Sequence, residues 1–389
     1  MATEQSASEF RPNIPVTAIT VFYLCFITFA AQFIAADYKE SIASILAGYN
    51  SQFGITDIVP PLVRHDSQWY INIARHGYTS TTFNNAHNAG FLPFYPFMVW
   101  LVSRIISINT IAAGLLASWI SAVIAMNALY AYYKNLSGEK DAAFKTIVAL
   151  VTFPVGFLFA SLYSESTFLA LIALTFLFYQ QKRYLPAAAM GFLASATRLT
   201  GLTLVPVFLF HMWLEWRSTK RVSRSAMLLV AAPLLAFFLQ MAYFQITFDD
   251  PLKYFHEKQA WFGLSEHHWP WDTISNSAVQ AYDTWQSIHI HSINNLLEIP
   301  SLLFAILGTF FLWRRKMTME AVFVASNIAL ILSSGSLWGV ARFTVVLFPI
   351  FYILAASLPK WAWYSYLIAA LFLQTIALLI FVTMSSVAL

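Results

Sequence analysis

Charged side chains are scarce in this chain of 389 residues, of which only 10% are Asp, Glu, Lys or Arg. A soluble globular domain carries about 25% charged residues, so the composition excludes a soluble protein. Hydrophobic residues make up 59% of the chain, and the mean hydropathy is +0.64. Because apolar runs long enough to span a bilayer recur along the chain, the sequence predicts an all-α polytopic membrane protein.

Cysteine and the motifs of several catalyst classes are also missing. The single cysteine, Cys25, lies inside the first apolar run, which excludes an intramolecular disulfide and a cysteine-based metal cluster. There is no glycine-rich phosphate loop, and His256-Glu257 lacks the second histidine of a zinc helix motif. We therefore expect no cofactor and no metal ion. The net charge of +4 reflects membrane orientation and gives no reason to expect nucleic acid as a partner.

The apolar runs predict the membrane spans. The first, 14–36, is too long and too uninterrupted for the core of a cleaved signal peptide, so it predicts a retained helix. Ten further runs bring the predicted number of transmembrane helices to about 11: 110–133, 143–162, 165–180, 184–198, 200–214, 225–247, 297–313, 319–334, 340–358 and 361–384. No internal repeat or Gly/Ser linker divides the chain, which predicts one integral membrane domain over residues 1–389.

Basic residues in the short connections predict the orientation, because such loops stay in the cytoplasm. The basic connections are 134–145, 181–183, 215–224, 313–316 and 359–360. The apolar stretch 91–106 would place two of them outside if it spanned the bilayer, so we interpret it as re-entrant or interfacial. Two long outer loops result, at about 37–109 and about 248–296.

Three charged residues lie inside or at the rim of apolar runs: Glu165, Arg198 and Arg342. A charge at the centre of a membrane helix costs about 2.5–3.5 kcal/mol on insertion scales. The predicted topology places all three toward the outer face that carries Asp66, which indicates one polar cavity opening outward. Two arginines facing one cavity would suit a phosphate group, through bidentate charge-assisted hydrogen bonds.

Each of these residues also has a simpler interpretation. Glu165 could stabilise a helix N-terminus, Arg198 could extend its charge to the membrane surface, and Arg342 could be an interfacial anchor. Asp66 is the candidate general base, but an aspartate at the start of a helix is also a common cap. The residues alone leave these alternatives open.

The segment 66–76 has the pattern of an amphipathic helix, with Asp66 and Tyr70 on one face. We expect this helix to lie on the membrane surface within the first outer loop. Trp69 and Tyr70 would then sit at the interface and anchor the helix.

Six sequence blocks between about residue 60 and about residue 355 resemble one known family, in the same order. The blocks are RHDSQWYINIARHGY, FLPFYPFMVWLV, FPVGFLFASLYSESTFLAL, LPAAAMGFLASATRLTGLTLVP, FDDPLKYFHEKQAWFG and SSGSLWGVARFTVVLFPIF. The chain resembles the PIG-V type of GPI mannosyltransferase and its prokaryotic relatives, within the glycosyltransferase C (GT-C) superfamily. The resemblance implies a GT-C fold and a polyprenyl-phosphate sugar, most often mannose, as donor on the extracytoplasmic or lumenal face.

The resemblance also implies roles for individual residues. Asp66 matches the acidic residue of the first outer loop that acts as base, and Glu165 matches the acidic position of the second. Arg198 and Arg342 match the arginines of the family. Further substrate-binding positions carried over from the same blocks are Arg64, His65, Tyr163, Asp250 and Gln259.

Two positions depart from the family pattern. His65 stands where the family keeps tryptophan, which changes the wall beside the predicted base and leaves the acceptor open. Asp249 replaces the usual glycine before Asp250 and adds a carboxylate to that loop.

The predicted activity is an inverting sugar transfer to an acceptor hydroxyl, with Asp66 as general base. The acceptor could be a glycolipid, a glycan or a protein. Two alternatives from other classes are a lipid-linked sugar flippase or transporter, and a non-catalytic subunit of a glycosylation complex. The short N-terminal tail, the compact loops and His65 favour a prokaryotic plasma membrane over the endoplasmic reticulum.

Overall fold

A computed structural model describes residues 11–38, 60–79, 82–83, 86–262, 269, 271–277, 279, 291–335 and 337–383. Six helical stretches in these ranges are long and apolar enough to cross a membrane. They are Ile14–Asp37, Thr110–Ser137, Leu199–Thr219, Arg224–Phe248, Leu297–Arg314 and Lys360–Thr383. The protein is therefore an integral membrane protein, while the count of about 11 spanning helices stays a prediction.

The helices follow one another with short connections. The first half contains α1 (Ile14–Asp37), α2 (Ser67–His76), α3 (Phe94–Ile106), α4 (Thr110–Ser137), α5 (Lys140–Thr152), α6 (Glu165–Gln180), α7 (Tyr184–Thr197) and α8 (Leu204–Thr219). The second half contains α9 (Arg224–Phe248), α10 (Lys253–Phe262), α11 (His291–Arg314), α12 (Thr318–Leu332), α13 (Val340–Thr344), α14 (Phe348–Ser357) and α15 (Lys360–Thr383). One short antiparallel pair, Thr82–Phe83 with Ala86–His87, lies between α2 and α3.

Local sequence signals begin and end several of these helices. The Asn109 side chain accepts a hydrogen bond from the backbone N–H of Ala112 at 2.8 Å, and Ser223 accepts one from Ala226 at 3.2 Å. These caps satisfy N–H groups that have no partner in the first turn. Gly138 ends α4 in the left-handed region, with φ of +75°, where glycine has no steric penalty.

The predicted span 143–162 is interrupted in the structure. Helix α5 ends at Thr152, because Pro154 disfavours helical backbone at Phe153. The Gln374 side chain of α15 donates to the carbonyl oxygens of Val151 at 2.9 Å and Phe153 at 2.7 Å. Carbonyl groups that the helix leaves unpaired are thereby satisfied inside the protein, as a membrane environment requires.

The predicted span 340–358 is also divided, into α13 and α14. Pro349 occupies the first turn of α14, where its missing N–H is tolerated. The predicted span 200–214 starts with a 3₁₀ turn, Leu199–Thr203, and then continues as α8. These breaks leave the Arg342 segment as a short helix of five residues.

Helices α2 and α3 cover one end of the bundle. The expectation that Trp69 and Tyr70 sit at the membrane interface is wrong, because both are buried in the protein. Trp69 stacks on Phe91, and Tyr70 packs edge-on against Tyr95 with ring centroids 4.8 Å apart. An amphipathic pattern predicts one apolar face but not whether protein or lipid covers it. Helix α3 has 13 residues, a length of about 20 Å against a hydrocarbon core of about 30 Å.

Helix α6 lies in the core of the protein, with α4 and α7 packed along it. Glu165 is its first residue and Tyr179 lies near its last, so about 21 Å of helix separates them. Helix α12 similarly carries Glu320 near its start and leads, past its other end, to α13 and Arg342. The two helices link the same two ends of the molecule.

Candidate active site

Arg342 joins two carboxylates that are far apart in the sequence. Its Nη1 donates to Oδ2 of Asp66, and its Nε donates to Oε1 of Glu165. Asp66 comes directly before α2, Glu165 begins α6 and Arg342 lies on α13. Three separate elements therefore meet at a single guanidinium group.

Arg198 adds a second guanidinium from the end of α7. Its Nη1 donates to Oε1 of Glu165 at 2.6 Å and to the hydroxyl of Ser164 at 3.2 Å. Its guanidinium carbon lies 5.3 Å from the centroid of the Phe343 ring. Glu165 is fully buried, and a buried carboxylate of this kind needs such partners to remain charged.

The contacts argue against the simpler interpretations of these four residues. Asp66 occupies the N-cap position of α2 but makes no side-chain capping hydrogen bond. Oε1 of Glu165 is held by both arginines. The side chains of Arg198 and Arg342 are only 11% and 13% exposed, whereas a surface anchor would hold its charge in solvent.

Sequence analysis missed Lys258, on α10, as a member of this site. Its Nζ lies 4.8 Å from the centroid of the Phe91 ring, and its charge acts directly on Asp66. Burial lowers the pKa of Lys258 to about 8, while Asp66 opposes that shift. The available signal was helical spacing, since Tyr254 and Lys258 share one face of α10 and the lysine lies over that ring as well. We call Asp66, Glu165, Arg198, Lys258 and Arg342 the charged cluster.

Asp66 is held as a carboxylate. Burial alone would raise the pKa of its carboxyl group, but the positive charges of Arg342 and Lys258 outweigh burial and lower it below the usual value. Asp66 can therefore accept a proton at neutral pH, although its ion pair with Arg342 makes it a weak base in this state. Burial raises the pKa of the neighbouring Tyr70 hydroxyl, so this group stays protonated.

His65 is neutral beside the predicted base. Burial lowers its pKa to about 4, and the nearby charges of Arg64 and Arg342 lower it further. The backbone φ of His65 is +48°, in the left-handed region, where histidine is enriched among non-glycine residues. Its ring meets Phe381 edge-on at 5.4 Å.

The remaining predicted residues differ in their distance from this chemistry. Tyr163 lies under the Arg342 guanidinium, 4.6 Å from its carbon, and Arg64 is fully buried with Nη1 donating to the Val63 carbonyl at 3.3 Å. Asp250 instead serves the start of α10. Its Oδ1 accepts from the backbone N–H of Leu252 at 3.0 Å, and its Oδ2 contacts His256 Nδ1 at 2.8 Å.

Gln259 is exposed on α10. The substrate-binding roles of Asp250 and Gln259 thus stay predictions that the charged cluster does not include. Across the ranges that the structure describes, no group of three or more His, Cys, Asp or Glu side chains is placed to hold a metal ion.

No protein-family model and no curated protein matches this sequence. Among solved structures, ArnT from Cupriavidus metallidurans bound to undecaprenyl phosphate is similar over 86% of this chain, with 13% identity and a TM-score of 0.50. The chain spans 63% of the length of that ArnT chain. An oligosaccharyltransferase from Archaeoglobus fulgidus is similar over 95% of this chain and 56% of its own, with 13% identity and a TM-score of 0.46.

The likeness to ArnT is a likeness of fold, since so few residues are shared. It agrees with the GT-C fold that the sequence blocks imply, while the PIG-V resemblance stays a prediction. The chain thus has the all-helical membrane fold of the GT-C glycosyltransferases.

Proposed function

We propose that this protein is a membrane glycosyltransferase that moves a sugar from a polyprenyl-phosphate donor to an acceptor hydroxyl. The observation that carries the proposal is the bridge from Arg342 to Asp66 and Glu165, inside a fold shared with ArnT. The bridge brings a carboxylate that can accept a proton next to cations that can hold a phosphate. Mannose is the sugar that the sequence blocks favour.

The charged cluster has the groups for an inverting displacement. The acceptor hydroxyl oxygen attacks the anomeric carbon while Asp66 takes the hydroxyl proton. The bond from the anomeric carbon to the phosphate oxygen breaks, and polyprenyl phosphate leaves as an anion. Arg198 and Arg342 stabilise the negative charge that develops on the leaving phosphate, which is the electrostatic part of the catalysis.

Donor binding also changes the base. Without substrate, Arg342 lowers the pKa of the Asp66 carboxyl group. A donor phosphate competes with Asp66 for the same guanidinium, so its arrival raises the pKa of Asp66 toward that of an effective base. Glu165 keeps Arg198 and Arg342 in position while this exchange occurs.

The placement in the membrane follows the distribution of basic loops. The charged cluster faces the extracytoplasmic side of a prokaryotic plasma membrane, and the first outer loop includes α2 and the non-spanning helix α3. About 11 helices cross the bilayer in one domain. The acceptor is a glycolipid, a glycan or a protein hydroxyl that reaches this face.

The reaction is tested with purified protein in lipid nanodiscs. The protein is incubated with polyprenyl-phosphate mannose and membrane lipids, and new glycosylated species are sought by mass spectrometry. Asp66→Asn should reduce turnover by about 10²- to 10⁴-fold, the usual contribution of a general base. Its thermal unfolding should stay close to wild type, because asparagine keeps the shape of the side chain.

Near-normal turnover in Asp66→Asn would remove Asp66 as the base. A protein that makes no product but moves labelled lipid across vesicles would be a flippase, and the transferase proposal would fail. A wild-type protein that shows neither activity but enables transfer by a second protein would be a non-catalytic subunit.

A further inference from the structure

Glu298 is a buried acidic residue that the proposed mechanism leaves unused. It lies on the apolar helix α11 and is only 6% exposed. Its Oε1 accepts a hydrogen bond from the backbone N–H of Gly339 at 2.7 Å, and its Oε2 accepts one from Ala341 at 3.1 Å. Both oxygens are therefore spent on the backbone immediately before Arg342.

The backbone at this point has little stability of its own. Helix α13 has only five residues, and isolated helices of that length do not persist. Gly339 precedes it with φ of +81°, in the left-handed region that glycine adopts most readily. A carboxylate that accepts two N–H bonds makes stronger contacts than a neutral acceptor, so Glu298 can hold this turn in one conformation.

We propose that Glu298 is a positioning residue that fixes the turn at Gly339–Ala341, so that the Arg342 guanidinium reaches Asp66 and Glu165 together. Arg342 must bind both carboxylates in the resting site and the phosphate during reaction, which leaves little tolerance for displacement. Shifts of about 1 Å at a catalytic group can cost about 10²-fold in rate. Because Glu298 acts through Arg342, this role rests on the proposed transferase function.

Glu320 provides a matched control. It is also a glutamate buried in an apolar helix, at 5% exposure, and its Oε1 accepts from the Tyr132 hydroxyl at 2.5 Å. It lies near the start of α12, whereas Arg342 follows the opposite end of that helix. Neutralising either glutamate removes one buried carboxylate, but only Glu298 contacts the backbone before Arg342.

The experiment compares Glu298→Gln with Glu320→Gln in nanodiscs. Glutamine keeps one carbonyl oxygen but turns an N–H group toward a backbone N–H. We expect kcat to fall by about ten- to a hundredfold in Glu298→Gln, with KM for the donor changing less, because Arg342 stabilises the leaving phosphate in the transition state. Glu320→Gln should stay within about twofold of wild type, as expected for a position remote from the reaction.

Amide hydrogen exchange of the peptide containing 337–344 is the second measurement, and it needs no activity. Exchange there should be about tenfold faster in Glu298→Gln and unchanged in Glu320→Gln, since loss of two charge-assisted bonds lowers the cost of local opening. Wild-type kcat with wild-type exchange in Glu298→Gln would overturn the proposal. Equal losses of activity in both variants would overturn it too, because they would show a general effect of buried carboxylates.

Two further controls keep the result interpretable. If wild-type protein shows no transfer, the transferase function fails, while the exchange measurement still tests the contact between Glu298 and the turn. If Glu298→Gln does not fold, Gly339→Ala strains the same turn without touching Glu298, and its nearest neighbour for an added Cβ is Phe343 at 3.9 Å. Wild-type exchange and kcat in Gly339→Ala would then count against the proposal.

Discussion

The two ends of α6 and α12 both bury polar groups, but they do so by different chemistry. One end holds the charged cluster, where two carboxylates meet three cations. At the other end, Glu320 accepts from the Tyr132 hydroxyl and Tyr179 hydrogen-bonds to His211 at 2.8 Å. We call Tyr132, Tyr179, His211 and Glu320 the tyrosine cluster.

The comparison shows what stability alone requires. In the tyrosine cluster, a neutral hydroxyl donor accompanies the buried Glu320 side chain. In the charged cluster, Glu165 is fully buried with two arginines, an arrangement that costs desolvation and that a well-packed apolar group would often replace without loss. The extra charges therefore point to chemistry rather than to the stability of the fold.

The largest expected effect comes from removing the cation that the two carboxylates share. Arg342→Gln leaves Asp66 and Glu165 buried with their charges less compensated, and breaking a buried pair in this way costs about 3–5 kcal/mol. Thermal and denaturant unfolding in detergent measure the loss, and a membrane-embedded reference such as Glu320→Gln is the control. Unfolding equal to wild type would mean that the ion pairs contribute no net stability.

A smaller effect is expected at the tyrosine cluster. Tyr132→Phe removes the donor to Glu320 and leaves a buried acceptor unpaired, at a cost of about 1–3 kcal/mol. Sugar transfer by the folded fraction should not change, because this cluster lies about 20 Å of helix from the charged cluster. Transfer reduced as strongly as stability would break the distinction between the two ends.

The smallest expected effect is a pH dependence that only the charged cluster carries. Lys258 has a pKa of about 8, so it is protonated at pH 7 and mostly neutral at pH 9. If its charge helps to bind the donor phosphate, KM for the donor should rise by about tenfold between these pH values. Lys258→Met should have the higher KM already at pH 7 and lose this limb, whereas Tyr179→Phe should keep it.

An alkaline limb that persists unchanged in Lys258→Met would assign the titration to another group. His65 is not expected to contribute between pH 5 and 8, because its pKa of about 4 keeps the imidazole neutral throughout that range.

The convergence of the charged residues could be predicted because membrane helices penalise charge. Glu165, Arg198 and Arg342 each interrupt an apolar run, so the sequence marks them, and the orientation rule places them on one side with Asp66. Lys258 carries no such mark, since a lysine in a loop costs nothing to insert. Its approach to Asp66 depends on how α10 packs, which the sequence pattern does not specify.

The same limit applies to Glu298 and to the helix breaks. Glu298 lies at the edge of a predicted span, where a carboxylate has no evident cost, and its partners lie 41 and 43 residues away. The divisions at Pro154 and Pro349 follow from proline chemistry, but continuous hydrophobicity on both sides hides them. Apolar periodicity gives the extent of a hydrophobic segment and not the number of helices within it.

The hydrogen bonds from Gln374 to Val151 and Phe153 have a consequence for the timing of biogenesis. Gln374 and Val151 are separated by 223 residues, so a ribosome that adds about 5–20 residues per second makes the donor about 10–45 s after the acceptors. During that interval, the break after α5 lacks the amide that will satisfy its carbonyls, and exposing them to lipid is unfavourable. The nascent chain must therefore keep this break near water or the insertion machinery until α15 enters the membrane, which makes insertion of that helix the step that seals the bundle.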